Sequence, residues 1–177
     1  MCIRDRQSSE WKQVNAADLF STILSLYQGR LRNAGVKVET RWRSEEKVRC
    51  LDGEIRQVLS NLVANAIDAM SGGGRLQLRS RCGTDWKAGA AGLFLTVADT
   101  GTGMTEATLR RMFEAFYTTK GAAGTGLGMW ISAGIMDRHE SRLRVRSSQR
   151  EGRHGTVVTC FLPFGGGADA EQGAAHG

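Results

Sequence analysis

The chain has 177 residues, which is enough for one domain with a buried core. Its hydrophobic fraction of 41% is ordinary for a globular protein. No apolar run reaches the roughly 20 residues that are needed to span a bilayer. The N-terminus has no apolar stretch of the kind that a secretory signal needs. The net charge of +6 comes from dispersed basic residues without a basic block, so we expect no nucleic-acid partner. Four scattered cysteines (Cys2, Cys50, Cys82 and Cys160) lack metal-ligand spacing and predict reduced thiols in the cytoplasm.

The first half of the chain predicts two helices, each followed by a strand. Apolar residues recur at helical spacing between Asp18 and Asn33, and Val36–Thr40 then alternates as a half-buried strand. The strongest helical pattern follows Asp52, predicted as its N-cap, and ends at the glycines 72–74. Leu76 and Leu78 alternate with polar residues and predict the next strand.

The second half predicts a central strand, a long connection, a helix and two more strands. The apolar run Leu93–Ala98 is typical of a central strand buried on both faces. A helix is predicted over Leu127–Arg138, and Leu143 and Val145, flanked by arginines, indicate a strand with a basic outer face. Thr156–Leu162 predicts the last strand.

This order predicts an α+β fold with a mixed sheet and helices on one of its faces. The connection 100–126 is too long for a plain loop, and we expect it to be functional, lid-like or partly helical around 106–113. We expect residues 11–164 to form the domain. Residues 1–10 are expected to be disordered or an artefact of the gene model, and 165–177 to be a disordered tail.

Polar residues interrupt the second helix along one edge of its apolar stripe. Asn61, Asn65 and Asp68 fall together there, although asparagine is a poor residue for a helix interior. An amide oxygen is a suitable ligand for Mg²⁺ and adds no negative charge beside a phosphate chain. The alternative is a pair of surface asparagines that make local hydrogen bonds.

Two glycine-rich segments follow the predicted central strand. Asp99 ends that strand and can accept a hydrogen bond from an exocyclic amine, while Gly101 and Gly103 leave room for a flat ring against the backbone. The second segment, with glycines at 124, 126 and 128, precedes a helix, whose first N–H groups suit anionic oxygens. The alternative for Asp99 is a simple turn residue.

The aromatic segment between these glycines carries a lysine. Phe113, Phe116 and Tyr117 are expected to fix the connection to the body of the protein. Lys120 follows without an evident acidic partner, so it is predicted to bind a phosphate, the alternative being a solvated loop lysine. The loop Tyr117–Ala123 is accordingly expected to be mobile without nucleotide and ordered with it.

These segments resemble the catalytic, ATP-binding domain of bacterial sensor histidine kinases, within the ATPase superfamily that includes gyrase, Hsp90 and MutL. QVLSNLVANAIDAM resembles the N box, DTGTGM the first G box, FEAFYTTK the F box, GTGLGM the second G box and GTVVTCFLP the closing strand. The residues of these motifs are most similar to those of the nitrogen-regulator type of sensor kinase. The resemblance covers about residues 14–164 and implies the two-layer, mostly antiparallel Bergerat-type fold.

The resemblance also implies roles for individual residues. Asn65 would hold Mg²⁺, Asn61 would lie beside the attacking group, Asp99 would bind the adenine amine and Thr156 would support the adenine through water. Lys120 and the second glycine segment would hold the phosphates of ATP. The full implied nucleotide site consists of Asn61, Asn65, Asp68, Asp99, Gly101, Gly103, Met104, Phe113, Thr118, Thr119, Lys120, Gly124, Thr125, Gly126, Leu127, Gly128 and Thr156.

The phosphoacceptor helix of such kinases is not found in this sequence. His139, His154 and His176 lack the expected context, and each is predicted to be a surface residue. The implied partners are therefore a dimerisation and phosphoacceptor helical domain of the same kinase and a response regulator. The isolated domain is expected to be a cytoplasmic monomer, and a membrane anchor on the parent kinase stays open. An anti-sigma-type serine kinase and a non-catalytic nucleotide-binding module of the same fold remain as alternatives.

Glu140–Ser141 departs from the resemblance, because the family usually has a glycine turn there. Ala115 and Tyr117 are milder departures from proline and phenylalanine.

Overall fold

The computed structural model describes residues 10–85, 87, 89–121 and 124–165. The disorder expected for residues 1–10 and 165–177 lies outside these residues except at Glu10 and Gly165. In chain order the elements are β1 (Trp11–Val14), α1 (Ala16–Asn33), β2 (Val36–Trp42), β3 (Val48–Leu51), α2 (Asp52–Ala69), β4 (Gly74–Asp85), β5 (Ala90–Asp99), α3 (Glu106–Arg111), α4 (Gly128–Arg138), β6 (Leu143–Arg150) and β7 (Arg153–Pro163).

A five-stranded sheet with the order β2-β4-β5-β7-β6 forms one layer of the fold. Only the β2–β4 pair is parallel, and the other neighbours are antiparallel. The strand β5 lies in the centre, as the apolar run predicts, and Val97 pairs there with Leu78 and Val158. The predicted α+β fold with a mixed, mostly antiparallel sheet is confirmed.

The second layer consists of helices whose apolar stripes pack on one face of this sheet. Helix α1 begins after Asn15, whose side chain accepts a hydrogen bond from the backbone N–H of Asp18 at 2.9 Å. The fully buried side chains that join the layers include Leu19, Phe20, Ile55, Leu59, Leu76, Leu78, Leu93, Leu95, Ile135 and Leu162. Burial of this apolar surface is the main force that holds α2 and its polar edge in place.

The start of α2 differs from the prediction. Asp52 is the first helical residue, Leu51 holds the N-cap position, and no side chain caps the helix. Asp52 Oδ1 instead accepts a hydrogen bond from Arg56 Nε at 2.6 Å. The N-cap assignment is wrong because β3 runs directly into the helix and leaves no extended polar residue between them.

Two short strands and an edge strand also depart from expectation. β1 and β3 pair as a separate two-stranded antiparallel sheet that the sequence pattern does not predict. In β2, Val36 is buried, but Val38 is 37% exposed and Thr40 is exposed as well. The half-buried pattern therefore fails after Val36, because β2 lies at the edge of the sheet.

His139 is buried, so its prediction as a surface residue is wrong. Its Nε2 accepts a hydrogen bond from the backbone N–H of Leu51 at 3.1 Å, which leaves Nδ1 to donate to the Ile135 carbonyl at 2.8 Å. The ring thus joins the end of α4 to the start of α2. The next residue, Glu140, adopts a φ of 53°, so the turn that usually needs glycine is made here by a glutamate.

The described cysteines Cys50, Cys82 and Cys160 are free thiols, and burial raises the pKa of Cys50 and Cys160 to about 12. These two thiols are consequently unreactive core residues. Among the described residues, no helix combines the length and apolar character that a membrane crossing requires.

Candidate functional site

A cavity of about 490 Å³ lies between α2, the inner face of the sheet and the connection 100–127. Its sides form three groups that we name by their position. The sheet wall is Val97, Asp99, Thr156 and Val158; the helix wall is Asn61, Asn65 and Asp68; the loop wall is Tyr117–Lys120 with Gly124–Gly126.

Most of the residues predicted for the site line this one cavity. They are Asn61, Asn65, Asp68, Asp99, Gly103, Met104, Thr118, Thr119, Lys120, Gly124, Thr125, Gly126, Gly128 and Thr156. They come from elements far apart in the chain, so their convergence is a property of the fold. Gly101, Phe113 and Leu127 do not line the cavity, and Phe113 instead packs against the hydrophobic core.

On the helix wall, the first asparagine is already engaged with the neighbouring helix. Asn61 Nδ2 donates to the Gly128 carbonyl and to Ser132 Oγ, both at 3.1 Å. The side chain therefore fixes the first turn of α4, and with it the second glycine segment, against α2. This contact gives Asn61 a structural role that the sequence did not indicate.

Lys120 connects the loop wall to the helix wall. Its Nζ donates to Asn65 Oδ1 at 3.0 Å and forms an ion pair with Asp68 Oδ2. The expectation that Lys120 lacks an acidic partner is wrong, because the fold brings Asp68 to it from a position 52 residues earlier in the chain.

Asp99 stands at the end of β5 with its carboxylate partly buried in the sheet wall. Oδ1 accepts hydrogen bonds from the backbone N–H groups of Gly101 at 2.8 Å and Thr156 at 3.2 Å. Burial raises the pKa of the Asp99 carboxyl, and these two hydrogen bonds oppose that rise. Asp99 thus offers a fixed acceptor at the floor of the cavity.

Thr156 belongs to a small hydroxyl network behind this floor. Its Oγ1 lies 2.8 Å from Ser147 Oγ, which also accepts a hydrogen bond from the backbone N–H of Met104 at 2.8 Å. The network ties the first glycine segment to β6 and β7.

The glycines of the first segment are required by close packing against protein atoms. A Cβ on Gly101 would lie 2.5 Å from the Ala69 carbonyl oxygen, and one on Gly103, where φ is +70°, would lie 1.9 Å from the Ser148 carbonyl oxygen. The end of α2 and strand β6 therefore require glycine at these two positions, a packing role that the sequence did not indicate.

The second glycine segment closes against the aromatic segment. Gly126 has a φ of +66°, and a Cβ there would lie 2.4 Å from the Phe116 carbonyl carbon. Phe116 itself has a φ of 65° and donates its N–H to the Gly126 carbonyl at 3.0 Å. This interlock brings Lys120 and the start of α4 to the same end of the cavity.

Sequence reasoning missed the apolar lining of the cavity. Val97 and Val158 are paired across β5 and β7, two residues from Asp99 and Thr156 on the same strand face. Strand periodicity could have identified both. Leu62, Met112 and Met129 also line the cavity, and their helical or loop positions gave no comparable signal.

The family described as histidine kinase-, DNA gyrase B-, and HSP90-like ATPase matches residues 52–166. The signal transduction histidine-protein kinase AtoS from Escherichia coli (strain K12) is 30% identical over 166 residues, which cover 88% of this chain and 24% of AtoS. The chain therefore spans about a quarter of that relative.

Solved structures show the same fold. The catalytic domain of histidine kinase ThkA, in a nucleotide-free form, superposes with a TM-score of 0.73 at 25% identity, over 88% of this chain and 98% of that domain. ThkA in complex with the response regulator protein TrrA matches with a TM-score of 0.69 at 23% identity, over 87% of this chain and 42% of that one.

Proposed function

Because the chain belongs to the family of histidine kinase-, DNA gyrase B- and HSP90-like ATPases, we propose that it is the ATP-binding catalytic domain of a sensor histidine kinase. The observation that carries this proposal is the convergence of Asp99, the two asparagines of α2 and Lys120 on one cavity. It holds ATP for phosphoryl transfer to a histidine outside this chain. We also propose that this kinase is of the nitrogen-regulator type.

The sheet wall binds the adenine. The Asp99 carboxylate accepts the hydrogen bond of the exocyclic amine, and Thr156 supports the ring through a water molecule. Val97 and Val158 supply an apolar surface for the ring, and both are buried. An ionised acceptor in a partly buried position makes a stronger hydrogen bond than a neutral one.

The helix and loop walls bind the phosphates. Lys120 supplies a mobile positive charge, and the second glycine segment directs backbone N–H groups at the N-terminus of α4 toward anionic oxygens. Thr118, Thr119 and Thr125 add hydroxyl groups along the same path. Phosphoryl transfer depends mainly on positioning and on charge stabilisation, which these groups provide.

The donor set at Asn65 fits Mg²⁺. Its amide oxygen faces the cavity and already binds a cation, the Lys120 ammonium, at 3.0 Å. Neutral oxygen ligands together with phosphate oxygens are the usual environment of Mg²⁺ in nucleotide sites. Asn65 would hold the ion, which when bound neutralises charge on the phosphates. Asn61 lies beside the attacking group. An asparagine at this position cannot activate water as a carboxylate would.

The phosphoacceptor lies on another domain of the same kinase, and the isolated domain is a monomer in the cytoplasm. His139 is 3% exposed and both of its ring nitrogens are engaged, so it cannot reach a bound nucleotide. His154 does not line the cavity, and its Nδ1 lies 2.7 Å from the Gly101 carbonyl oxygen. A response regulator is the next partner, in agreement with the complex of ThkA with TrrA.

Nucleotide binding is tested by titrating the folded chain with ATP in a calorimeter, with MgCl₂ and with EDTA. Saturable binding that tightens with Mg²⁺ is expected. A protein that is folded by circular dichroism but shows no heat of binding in either buffer contradicts the proposal.

Phosphoryl transfer is tested with radiolabelled ATP, the chain alone, and the chain mixed with the histidine-bearing helical domain of a sensor kinase. We expect negligible label on the chain alone and acid-labile label on the added domain. Label on His139 or His154 of the isolated chain would show that the acceptor assignment is wrong.

A further inference from the structure

Lys120 is held at the cavity by a network that reaches beyond the helix wall. Asp68 uses one carboxylate oxygen for Lys120 Nζ and the other for Arg30 NH2, at 2.6 Å. Arg30 also lies over the Tyr27 ring, 5.4 Å from its centroid, and the Tyr27 hydroxyl lies 3.0 Å from Ser60 Oγ. The carboxylate of Asp68 is therefore shared between a fixed cation on α1 and a lysine on the loop wall.

The backbone around Lys120 has its own support. Its N–H donates to Thr118 Oγ1 at 3.0 Å, and a Cβ on Gly124 would lie 2.3 Å from that same oxygen. Because this turn does not depend on the ammonium group, the Lys120 side chain can change partners while the turn persists.

Asn65 Oδ1 receives the Lys120 ammonium at the position that the proposed function assigns to Mg²⁺. Two cations cannot share this oxygen at close range without strong repulsion. Lys120 must therefore leave Asn65 when a metal-bound triphosphate enters. A terminal phosphate then becomes its new partner, while Arg30 continues to neutralise Asp68.

We propose that Asp68 and Arg30 are positioning residues that set the affinity for nucleoside triphosphates by controlling the release of Lys120 from Asn65 and Asp68. Asp68 holds the lysine back, and Arg30 favours its release by pairing with the carboxylate that remains. This inference rests on the proposed function, because it concerns how the same site accepts its nucleotide.

The two residues have opposite predicted effects. Asp68→Asn removes the pair that holds Lys120, so the ATP analogue AMPPNP should bind about two- to fivefold tighter in MgCl₂, the size expected for one half-exposed ion pair. In Arg30→Gln, Lys120 is the remaining cationic partner of Asp68 in this network and is held more strongly. AMPPNP should therefore bind more weakly by a similar factor. The double variant should behave like Asp68→Asn, because Arg30 acts through Asp68.

AMP separates positioning from a general structural effect. It lacks the β- and γ-phosphates that would draw Lys120 away, so its affinity should change much less than that of AMPPNP in all three variants. Glu114→Gln and Arg32→Gln are charge-matched controls, since Glu114 pairs with Arg111 at 2.9 Å in the same connection and Arg32 is exposed on the same helix as Arg30. Both controls should bind both nucleotides as the parent does.

Calorimetric titration of the parent and the variants with AMPPNP and AMP, after thermal unfolding has shown that all are folded, decides the inference. Opposite changes for AMPPNP with much smaller changes in AMP affinity support it. Unchanged or weaker AMPPNP binding by Asp68→Asn, equal signs for the two variants, or parallel changes in AMP affinity overturn it. A folded parent that binds neither nucleotide overturns the proposed function itself.

Discussion

The sheet wall of the cavity is hydrogen-bonded within the sheet and is buried except at Asp99, which is half-buried, whereas the loop wall leaves Thr119, Lys120 and Thr125 exposed. Val97, on the sheet wall, is 2% exposed. The hydrogen bonds between buried strands fix the position of a binding group before the ligand arrives, whereas the side chains of an exposed loop can exchange their hydrogen-bond partners. Under the proposed function, the surface for the base is preformed, whereas the binding of the phosphates requires the loop wall to rearrange.

The largest expected difference concerns one glycine next to each wall, Gly103 in the first glycine segment and Gly121 directly after Lys120. Gly103→Ala should lower the free energy of unfolding by about 2 to 5 kcal/mol, because its Cβ would overlap the Ser148 carbonyl and its φ is positive. Gly121→Ala should cost only about 1 to 2 kcal/mol, because its φ is also positive but a Cβ there meets nothing within 4 Å. Denaturant unfolding measures both, and equal losses would show that the first glycine segment is no more tightly packed than the loop at Gly121.

Asp99→Asn tests the preformed acceptor. Replacing it by an amide leaves the adenine amine poorly matched, so ATP affinity should fall by a factor of about 5 to 150, corresponding to roughly 1 to 3 kcal/mol. Unfolding stability should change much less. Asp137→Asn, on the exposed side of α4, is the control. If Asp99→Asn binds ATP like the parent, Asp99 is only a turn residue.

The pH dependence of binding sharpens the same point. Because burial raises the pKa of Asp99, its carboxylate becomes protonated at a higher pH than the carboxylate of an exposed aspartate does. ATP affinity should accordingly fall as the pH is lowered through this raised pKa. ATP affinity should fall more steeply with decreasing pH in the parent than in Asp99→Asn. Because the phosphates of ATP titrate in the same way with both proteins, the difference between the two pH profiles reports on Asp99. Identical pH profiles for the two proteins would contradict this role.

The smallest expected effect is in the loop wall. Hydrogen exchange of the amides of Tyr117–Gly121 should slow when an ATP analogue binds, because new phosphate contacts offset the entropy of ordering the loop. The amides of β5 should change little and serve as the internal reference. Equal protection of the loop with and without the analogue would indicate a static wall. The remainder of the predicted mobile loop, Ala122 and Ala123, lies outside the residues that the structure describes.

The parts of the molecule that follow local rules could be predicted from the sequence. The apolar periodicity of α2 and the continuous run of β5 gave the correct elements, and the glycine segments gave the position of the cavity. The pair β1 and β3 could not be predicted, because strands of four residues contain too few alternations to be distinguished from loops.

Contacts between segments that are distant in the chain could not be predicted from the sequence either. Asp68 pairs with Lys120 across 52 residues of the chain, and the backbone N–H of Leu51 donates a hydrogen bond to His139 across 88 residues. Neither contact leaves a local pattern in the sequence, so Lys120 was predicted to lack an acidic partner and His139 to be a surface residue. Most of the residues that line the cavity could therefore be predicted, but the contacts of Lys120 and His139 could not.

In the proposed function, one cavity recognises the base through Asp99 and the phosphates through Lys120. Calorimetric titration of the parent, Asp99→Asn and Lys120→Ala with AMP and with AMPPNP in MgCl₂ separates these two contributions. Asp99→Asn should weaken both nucleotides by the same factor, whereas Lys120→Ala should weaken AMPPNP about tenfold and leave AMP unchanged, since only the triphosphate reaches a charged contact. Equal losses for both nucleotides in Lys120→Ala, or a loss confined to AMPPNP in Asp99→Asn, would contradict the account.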